Sequence, residues 1–471
     1  MPALPPANGD PRADAIERAV LLEIAPDAET LARVAATRGR LVARVEEAAR
    51  AHKIPLVRAL VAGSAARGTF LKDRLDLDLF LLFPPSTARS DLERQGLELA
   101  GSVLSAPETR YAEHPYLRGT FDGFQVDAVP GYAIDDPSKP LSAVDRTPFH
   151  QAFLSERQSP AMVEQVRLTK QFLNALGVYG SEARTGGFSG YLVELLVLRF
   201  GSLRALLTAA QGWRIPVRLP SDPRANPRVP DDVALVIDDP VDPNRNVATA
   251  LSRRNLALFS LAAGEYLRKP SESWFRRRVP PALSIERGRQ IVRERGTHVS
   301  VVTLERPKLV DDILYPQLRK AERSLVAEAE RLGFTVLGSS SAAGSDRLVV
   351  LLEFPQGILP AVRFHDGPPA GIDRVGQFLE KWTAPSAPVL QGPYVTLDGK
   401  LAVEARRTER GAETLLGEAL ERLPLGKDLK STPTSSHRVE SLGATSSTPE
   451  LERALSDLLE KRLPWLRAPG A

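Results

Sequence analysis

The chain has 471 residues, 43% of them hydrophobic, with 62 Lys and Arg against 58 Asp and Glu, a formal charge of +4 and a sequence pI near 9.2. That length suits about three domains with packed cores. It holds no cysteine, which excludes disulfides and thiolate zinc sites, and its six histidines show no i, i+4 pairing, so any metal site must be built mainly from carboxylates and favours Mg²⁺ or Mn²⁺. No apolar run reaches the ~18 residues of a membrane span, and the Pro-rich start MPALPPANGDPRAD has no signal-peptide core. A cytoplasmic protein is expected.

In chain order, residues 11–52 read as two helices, the second from Asp27 to Ala51 with Leu31, Val34, Leu41 and Val45 on one stripe. Residues 54–134 alternate strands with turns. There the apolar segment Ile54–Val61 runs into Gly63–Ser64–Ala65–Ala66–Arg67–Gly68–Thr69. A Gly-Ser turn that opens a helix presents backbone N–H groups to a phosphate. Asp76–Leu77–Asp78 follows within Leu75–Phe83. Side chains alternate along a strand, so both carboxylates share one face. The segment Phe124–Val129 offers a third, Asp127, which a sheet could set beside the first two. Three such carboxylates can hold two divalent ions that activate a 3′-hydroxyl and neutralise a leaving pyrophosphate. That is the layout of a nucleotidyltransferase. The turn Asp135–Pro140 ends the unit.

From 145 to 269 the pattern turns helical, with segments near 147–157, 160–176, 189–209 and 246–267. Lys170 shares a stripe with Val163, Val166 and Leu173, where an ammonium either snorkels to water or meets an anion. Tyr179 follows Gly177, a residue suited to the position just past a helix end, and stands either on a sugar or against a core. His150 follows Pro148 at a helix start, where a lone histidine reads as structural or exposed. Arg245 falls within Asp239–Asn246, read as a turn entering a helix, and an ion pair with Asp239 or Asp242 is the competing role there.

Pro-rich joints fall at 215–230 and 280–281. Beyond them come a helix at 284–295, a strand at 297–303, a long amphipathic helix at 308–331 and strands over 334–366. A helix at 374–382, a hairpin at 393–404 and a helix at 411–422 follow. The Ser/Thr-rich residues 431–449 read as a flexible linker before a terminal amphipathic helix at 449–466. Three basic clusters stand out: Arg276, Arg277 and Arg278; Arg287, Arg289, Arg293 and Arg295; and Arg319, Lys320 and Arg323. Each alone is a solvated helix face or part of a polyanion surface, and three close together suit RNA.

These residues resemble the archaeal-type (class I) CCA-adding enzymes, the tRNA nucleotidyltransferases, from about residue 25 to 428. The matching stretches are G-S-A-A-R-G-T-F-L (63–71), D-L-D-L-F (76–80), F-Q-V-D-A-V-P (124–130), R-T-P-F-H (146–150) and G-V-Y-G-S-E (177–182). They continue with G-F-S-G-Y-L-V-E-L-L (187–196), D-P-V-D-P-N-R-N-V-A (239–248), R-G-T-H-V (295–299) and L-Y-P-Q-L-R-K (314–320). The resemblance implies an α+β multidomain protein: a polymerase-β-like head (1–144), a helical neck (145–269), an α/β body and tail that bind tRNA (270–430), then the linker and terminal helix (431–471). It implies template-independent addition of CCA to tRNA from CTP and ATP, two Mg²⁺ ions and a homodimer, while the absence of a long apolar run predicts no membrane association. Gly63, Ser64 and Arg67 would hold the triphosphate, and Asp76, Asp78 and Asp127 the metals. Thr147, His150, Lys170 and Tyr179 would contact the nucleotide, Arg245 its base, and Arg319 and Arg323 the tRNA. Leu75 departs from the small polar residue usual in the family, but it should point away from Asp76 and Asp78. An ATP-only relative, such as an oligoadenylate synthase or poly(A) polymerase, and a catalytically dead tRNA-binding protein are the alternatives.

Overall fold

The computed structural model describes residues 10–111, 115–220, 227, 229–279, 281–431 and 436–467. Residues 221–226 and 228 of the joint expected at 215–230, Pro280 of the joint at 280–281, His114, and residues 432–435 of the expected linker lie outside the described residues. The chain divides into two compact units, the first made of residues 1–280, 310–312 and 463–471, the second of 281–309 and 313–462. No helix among the described residues is long and apolar enough to cross a membrane.

The first unit begins with α1 (Pro11–Ile24) and α2 (Ala28–Ala51), the latter capped by Asp27, whose carboxylate accepts from the Thr30 N–H at 2.7 Å. Then come β1 (Arg58–Ala62), the single-turn α3 (Gly63–Arg67), β2 (Asp76–Phe83), α4 (Arg89–Val103), β3 (Ser105–Tyr111), β4 (Pro115–Phe121) and β5 (Phe124–Tyr132). The sheet order is β1-β2-β5-β4-β3, with β2 and β5 parallel and every other pair antiparallel. The strand-and-turn pattern expected over 54–134 misses α4, whose Leu92 and Leu99 pack into the core on one face of this sheet.

Alternation explains β2. Leu77, Leu79, Leu81 and Phe83 enter that core with Val126 and Ala128 of β5, while Phe80 and Leu82 meet Ala62 on the opposite face. Past Leu79 both faces are covered and the sequence is continuously apolar; at Asp76 and Asp78 the second face is less covered. Leu75 packs toward the first face, away from the two carboxylates.

The helical part holds α5 (Thr147–Ser155), α6 (Pro160–Leu176), α7 (Gly190–Phe200), α8 (Leu203–Ala210) and α9 (Arg253–Arg268), with short strands β6 (Val217–Arg218), β7 (Leu235–Val236), β8 (Asp238–Asp239) and β9 (Asp242–Asn246). Ser159, Ser189, Ser202 and Ser252 cap α6 to α9, each accepting a backbone N–H. Two expectations need correction. The helix at 189–209 breaks at Gly201 and Ser202, because Ser202 caps a new helix. Residues 246–252 are not helical: β8 and β9 pair as an antiparallel ribbon, so Arg245 lies on a strand.

In the second unit α10 (Ile285–Arg295), β10 (His298–Glu305), α11 (Asp311–Leu332), β11 (Gly338–Ala343) and β12 (Arg347–Phe354) lead to β13 (Val362–Pro369), α12 (Val375–Thr383), β14 (Val389–Val395) and β15 (Lys400–Arg406). They are followed by α13 (Ala412–Leu420), β16 (Arg438–Ser441) and α14 (Pro449–Leu459). One sheet runs β11-β12-β10-β16, another β13-β15-β14. The first is buried on both faces, by residues of α11 and α13 on one side and of α10 and α14 on the other, which is why β12 is apolar almost throughout. The expected linker is therefore structured where described. Val439 pairs with Val302 and Leu442 is buried, a contribution that the Ser/Thr bias of the segment concealed.

Candidate active site

The site grows from the end of the β1–β2 pair, where Ala62 stands opposite Asp78. Gly63 has φ +73, and a Cβ there would stand 2.2 Å from Asp78 Oδ2. Both the backbone angle and the close approach require glycine. The α3 turn that follows is held from outside: Arg38 of α2 donates to the carbonyl oxygens of Ala65 and Ala66, and Arg167 of α6 to that of Gly68 at 2.5 Å. Ser64 is half-buried in this turn.

The parallel register sets Asp78 beside Asp127 and Asp76 beside Gln125. Asp76 is exposed, Asp78 and Asp127 half-buried, and all three lie on the sheet face opposite Leu77 and Val126. Burial, then the neighbouring Asp127 and Asp76 charges, push the Asp78 carboxyl up to about 6. Hard oxygen donors crowded until one resists ionising are chemically suited to a divalent cation. They are not drawn together into a finished cage. No group of three or more metal-ligating side chains converges among the described residues. Asp127 instead accepts two hydrogen bonds from Arg118 of β4, Nε to Oδ1 at 2.6 Å and Nη2 to Oδ2 at 2.5 Å.

Arg67 and Lys170 come together around a residue that the sequence analysis did not select. Glu194 of α7, with 1% of its side chain exposed, accepts from Arg67 Nε at 2.6 Å and Nη2 at 3.2 Å, from Thr69 Oγ1 at 2.7 Å and from Lys170 Nζ at 3.4 Å. Lys170 is buried and also donates to the Thr69 carbonyl at 3.0 Å. It reaches across 101 residues of chain to support the turn rather than snorkelling to water. Burial pushes the Glu194 carboxyl up, but Lys170 and Arg67 prevail and hold it below its usual range. Arg67 also bonds Gln151 of α5.

A second buried acid gathers two more of the predicted residues, His150 and Arg245. Asp239 of β8 is fully buried; its Oδ2 lies 2.8 Å from His150 Nε2 and 2.8 Å from Arg245 Nη1, and its Oδ1 accepts from the Tyr191 hydroxyl at 3.0 Å. The His150 and Tyr191 rings stack with centroids 4.1 Å apart. The ion pair foreseen between Arg245 and Asp239 is thus present, and Asp242 is taken by Arg146 at 2.7 Å. The two clusters share elements: α5 carries Thr147, His150 and Gln151, and α7 carries Tyr191 and Glu194 one turn apart. Tyr179 stands past Gly177, pairs with Phe188 through a β-bridge, and burial pushes its hydroxyl pKa up.

The basic clusters divide. Arg278 donates to the carbonyls of Trp465 and Arg467, Arg289 to those of Leu442 and Thr445, and Arg295 binds Glu353 at 2.8 Å. These three hold structure. Arg319, Lys320 and Arg323 lie on the exposed face of α11.

Sequence reasoning passed over Glu194, Asp239 and Tyr191 as site residues. The available signal was a single acid inside the apolar run Tyr191–Val197, which burial would tolerate only if paired.

Family models cover most of the chain. One described as "Nucleotidyltransferase domain" matches residues 43–150, "tRNA nucleotidyltransferase, second domain" residues 164–276, and "CCA-adding enzyme, C-terminal domain" residues 295–441. Among curated proteins, a "CCA-adding enzyme" of Haloarcula marismortui is 40% identical over 372 residues, covering 76% of this chain and 79% of the relative. Those of Methanosarcina barkeri and Thermoplasma volcanium, under the same name, are 38% and 35% identical, each covering 87% of this chain and 90% of the relative.

Proposed function

Since the chain belongs to the archaeal-type CCA-adding enzymes and adds CCA to the 3′ end of tRNA from CTP and ATP, we propose how its own residues divide that work. Asp76, Asp78 and Asp127 hold the divalent cations, two Mg²⁺ ions in this reading. The observation that carries the assignment is Asp78, set between Asp127 and Asp76 with its carboxyl raised to about 6. When bound, such ions favour the ionised 3′-hydroxyl and offset charge on the departing pyrophosphate. Gly63 lets the α3 turn lie against Asp78, which sets the triphosphate beside the metals. Ser64 and Arg67 bind its oxygens, and Lys170 adds positive charge from behind Thr69. Thr147, His150 and Tyr179 contact the nucleotide beyond it.

Arg245 reads the base. Cytosine and adenine both present a ring-nitrogen acceptor beside an amino donor, whereas uracil and guanine present an N–H donor beside a carbonyl. A guanidinium has donors only, so it pairs with the first pattern at the ring position and clashes with the second. A backbone phosphate of the bound tRNA serves as acceptor for the amino group. Arg319 and Arg323 bind tRNA phosphates from the exposed face of α11. A homodimer, which rests on the resemblance, and a cytoplasmic location, which rests on the sequence pattern, complete the reading.

The test is incubation with a tRNA lacking its CCA end and each labelled triphosphate in turn. Incorporation of C, then of A on the C-extended product, is expected with Mg²⁺. Asp78→Asn should lower incorporation by several orders of magnitude while tRNA binding persists. A variant retaining more than about a tenth of the wild-type rate would remove the metal assignment.

A further inference from the structure

Asp239 is a fully buried carboxylate with no task in the reaction as described. Its contacts are complete. Oδ1 accepts from the Tyr191 hydroxyl at 3.0 Å and the Val241 N–H at 3.1 Å, and Oδ2 faces Arg245 Nη1 and His150 Nε2, each at 2.8 Å. A carboxylate offers about four acceptor positions, so none remains for a nucleotide or a cation. Asp239 can act only through its partners. Its side-chain partners come from three different elements, α5, α7 and β9, and two of them, His150 and Arg245, are the residues already assigned to the nucleotide.

The discrimination ascribed to Arg245 needs such an anchor. A donor-only group rejects uracil and guanine at the ring nitrogen only while it stays opposite that nitrogen. If it slides to the neighbouring carbonyl, the same donors are accepted and the distinction is lost. Arg245 keeps 38% of its side chain exposed, and its Nη1 is held on Asp239. Four of the five N–H donors remain for other partners, on a guanidinium whose position is set. The ribbon that carries it is tied again at Asp242, which accepts both Nε and Nη2 of Arg146 at 2.9 and 2.7 Å.

We infer that Asp239 is the positioning residue for nucleobase selectivity: it locks Arg245, together with the His150–Tyr191 stack, in the one place where a donor-only side chain separates cytosine and adenine from uracil and guanine. The inference rests on Arg245 reading the base. Its test is the ratio of kcat/KM for CTP over UTP on a tRNA lacking its CCA end, measured for the wild type, Arg245→Ala, Asp239→Asn and the double variant, with competition by inorganic triphosphate as the measure of phosphate binding.

Asp239→Asn should lower the ratio by at least about ten-fold, with inhibition by triphosphate unchanged, and the double variant should discriminate no worse than Arg245→Ala alone. A wild-type ratio in Asp239→Asn beside a lost ratio in Arg245→Ala would leave the base reader standing and overturn the role of Asp239. Additive losses in the double variant would overturn it too, by showing a route that bypasses Arg245. A full ratio in Arg245→Ala would instead defeat the base-reading premise. Where Asp239→Asn does not fold, Asp239→Glu replaces it. This variant keeps the charge but moves the carboxylate by one methylene, and a wild-type ratio there counts against the inference.

Discussion

Two sets of carboxylates in the first unit live under opposite conditions. Asp76, Asp78 and Asp127 share one face of the β2–β5 pair, and Asp78 meets like charge on both sides. Glu194 and Asp239 are more deeply buried yet face donors: arginine, lysine, threonine, tyrosine and histidine side chains close around them. The outcome inverts the usual expectation that deeper burial raises a carboxyl pKa. Asp78 is raised to about 6, first by burial and then by its acidic neighbours, while burial of Glu194 is outweighed by Lys170 and Arg67. The contrast separates two uses of one chemical group. An acid facing acids is suited to a cation from outside, and an acid facing bases is part of the frame. Asp127 stands between the two, being next to Asp78 but bound by Arg118.

The sharpest way to break this comparison is to truncate one of the frame acids. Glu194→Ala leaves Arg67 and Lys170 buried without their counter-charge and should cost about 3–5 kcal/mol. Chemical denaturation reads this directly, and a loss within experimental error would show the cluster to be dispensable. A smaller effect of the opposite sign belongs to Asp78. With no divalent cation present, the folded chain binds a proton at Asp78 at higher pH than the unfolded chain does. Ionising Asp78 therefore opposes folding, a penalty absent well below the ordinary carboxylate value of 3.8 and fully developed above about 6. Asp78→Asn should thus gain in melting temperature relative to the wild type between pH ~5 and ~8, and added Mg²⁺ should erase that gain by stabilising only the wild type. Parallel melting curves across that range would contradict a raised Asp78 carboxyl.

The smallest effect sharpens the contrast from the exposed face of α11, where charge meets solvent. Arg319→Ala and Arg323→Ala should each reduce the slope of log K for tRNA against log salt by about one unit, without changing which nucleotide is added. An unchanged slope would mark them as an ordinary solvated face.

Much of the site was legible because its signals are local. The period of two along β2 places Asp76 and Asp78 on one face whatever lies elsewhere in the chain, and Gly177 ends α6 just before Tyr179 as its φ of +74 requires. Three other readings failed for a shared reason. The helix expected from residue 246, the unbroken helix at 189–209 and the flexible linker at 431–449 were each judged on local composition, and each was settled by a partner or a cap: β8 for β9, Ser202 for α8, and β10 for β16.

By itself, then, the sequence determined the acidic face, the glycine turn and the run of motifs that marks the family, since alternation, turn chemistry and motif order are all properties of neighbouring residues. Tertiary structure decided what each charge means. Glu194 meets Arg67 across 127 residues, Asp239 meets His150 across 89, and Arg118 reaches Asp127 only because β4 and β5 pair in that register. Whether a carboxylate is a ligand or a fastener depends on what faces it, and that is set by packing between distant segments.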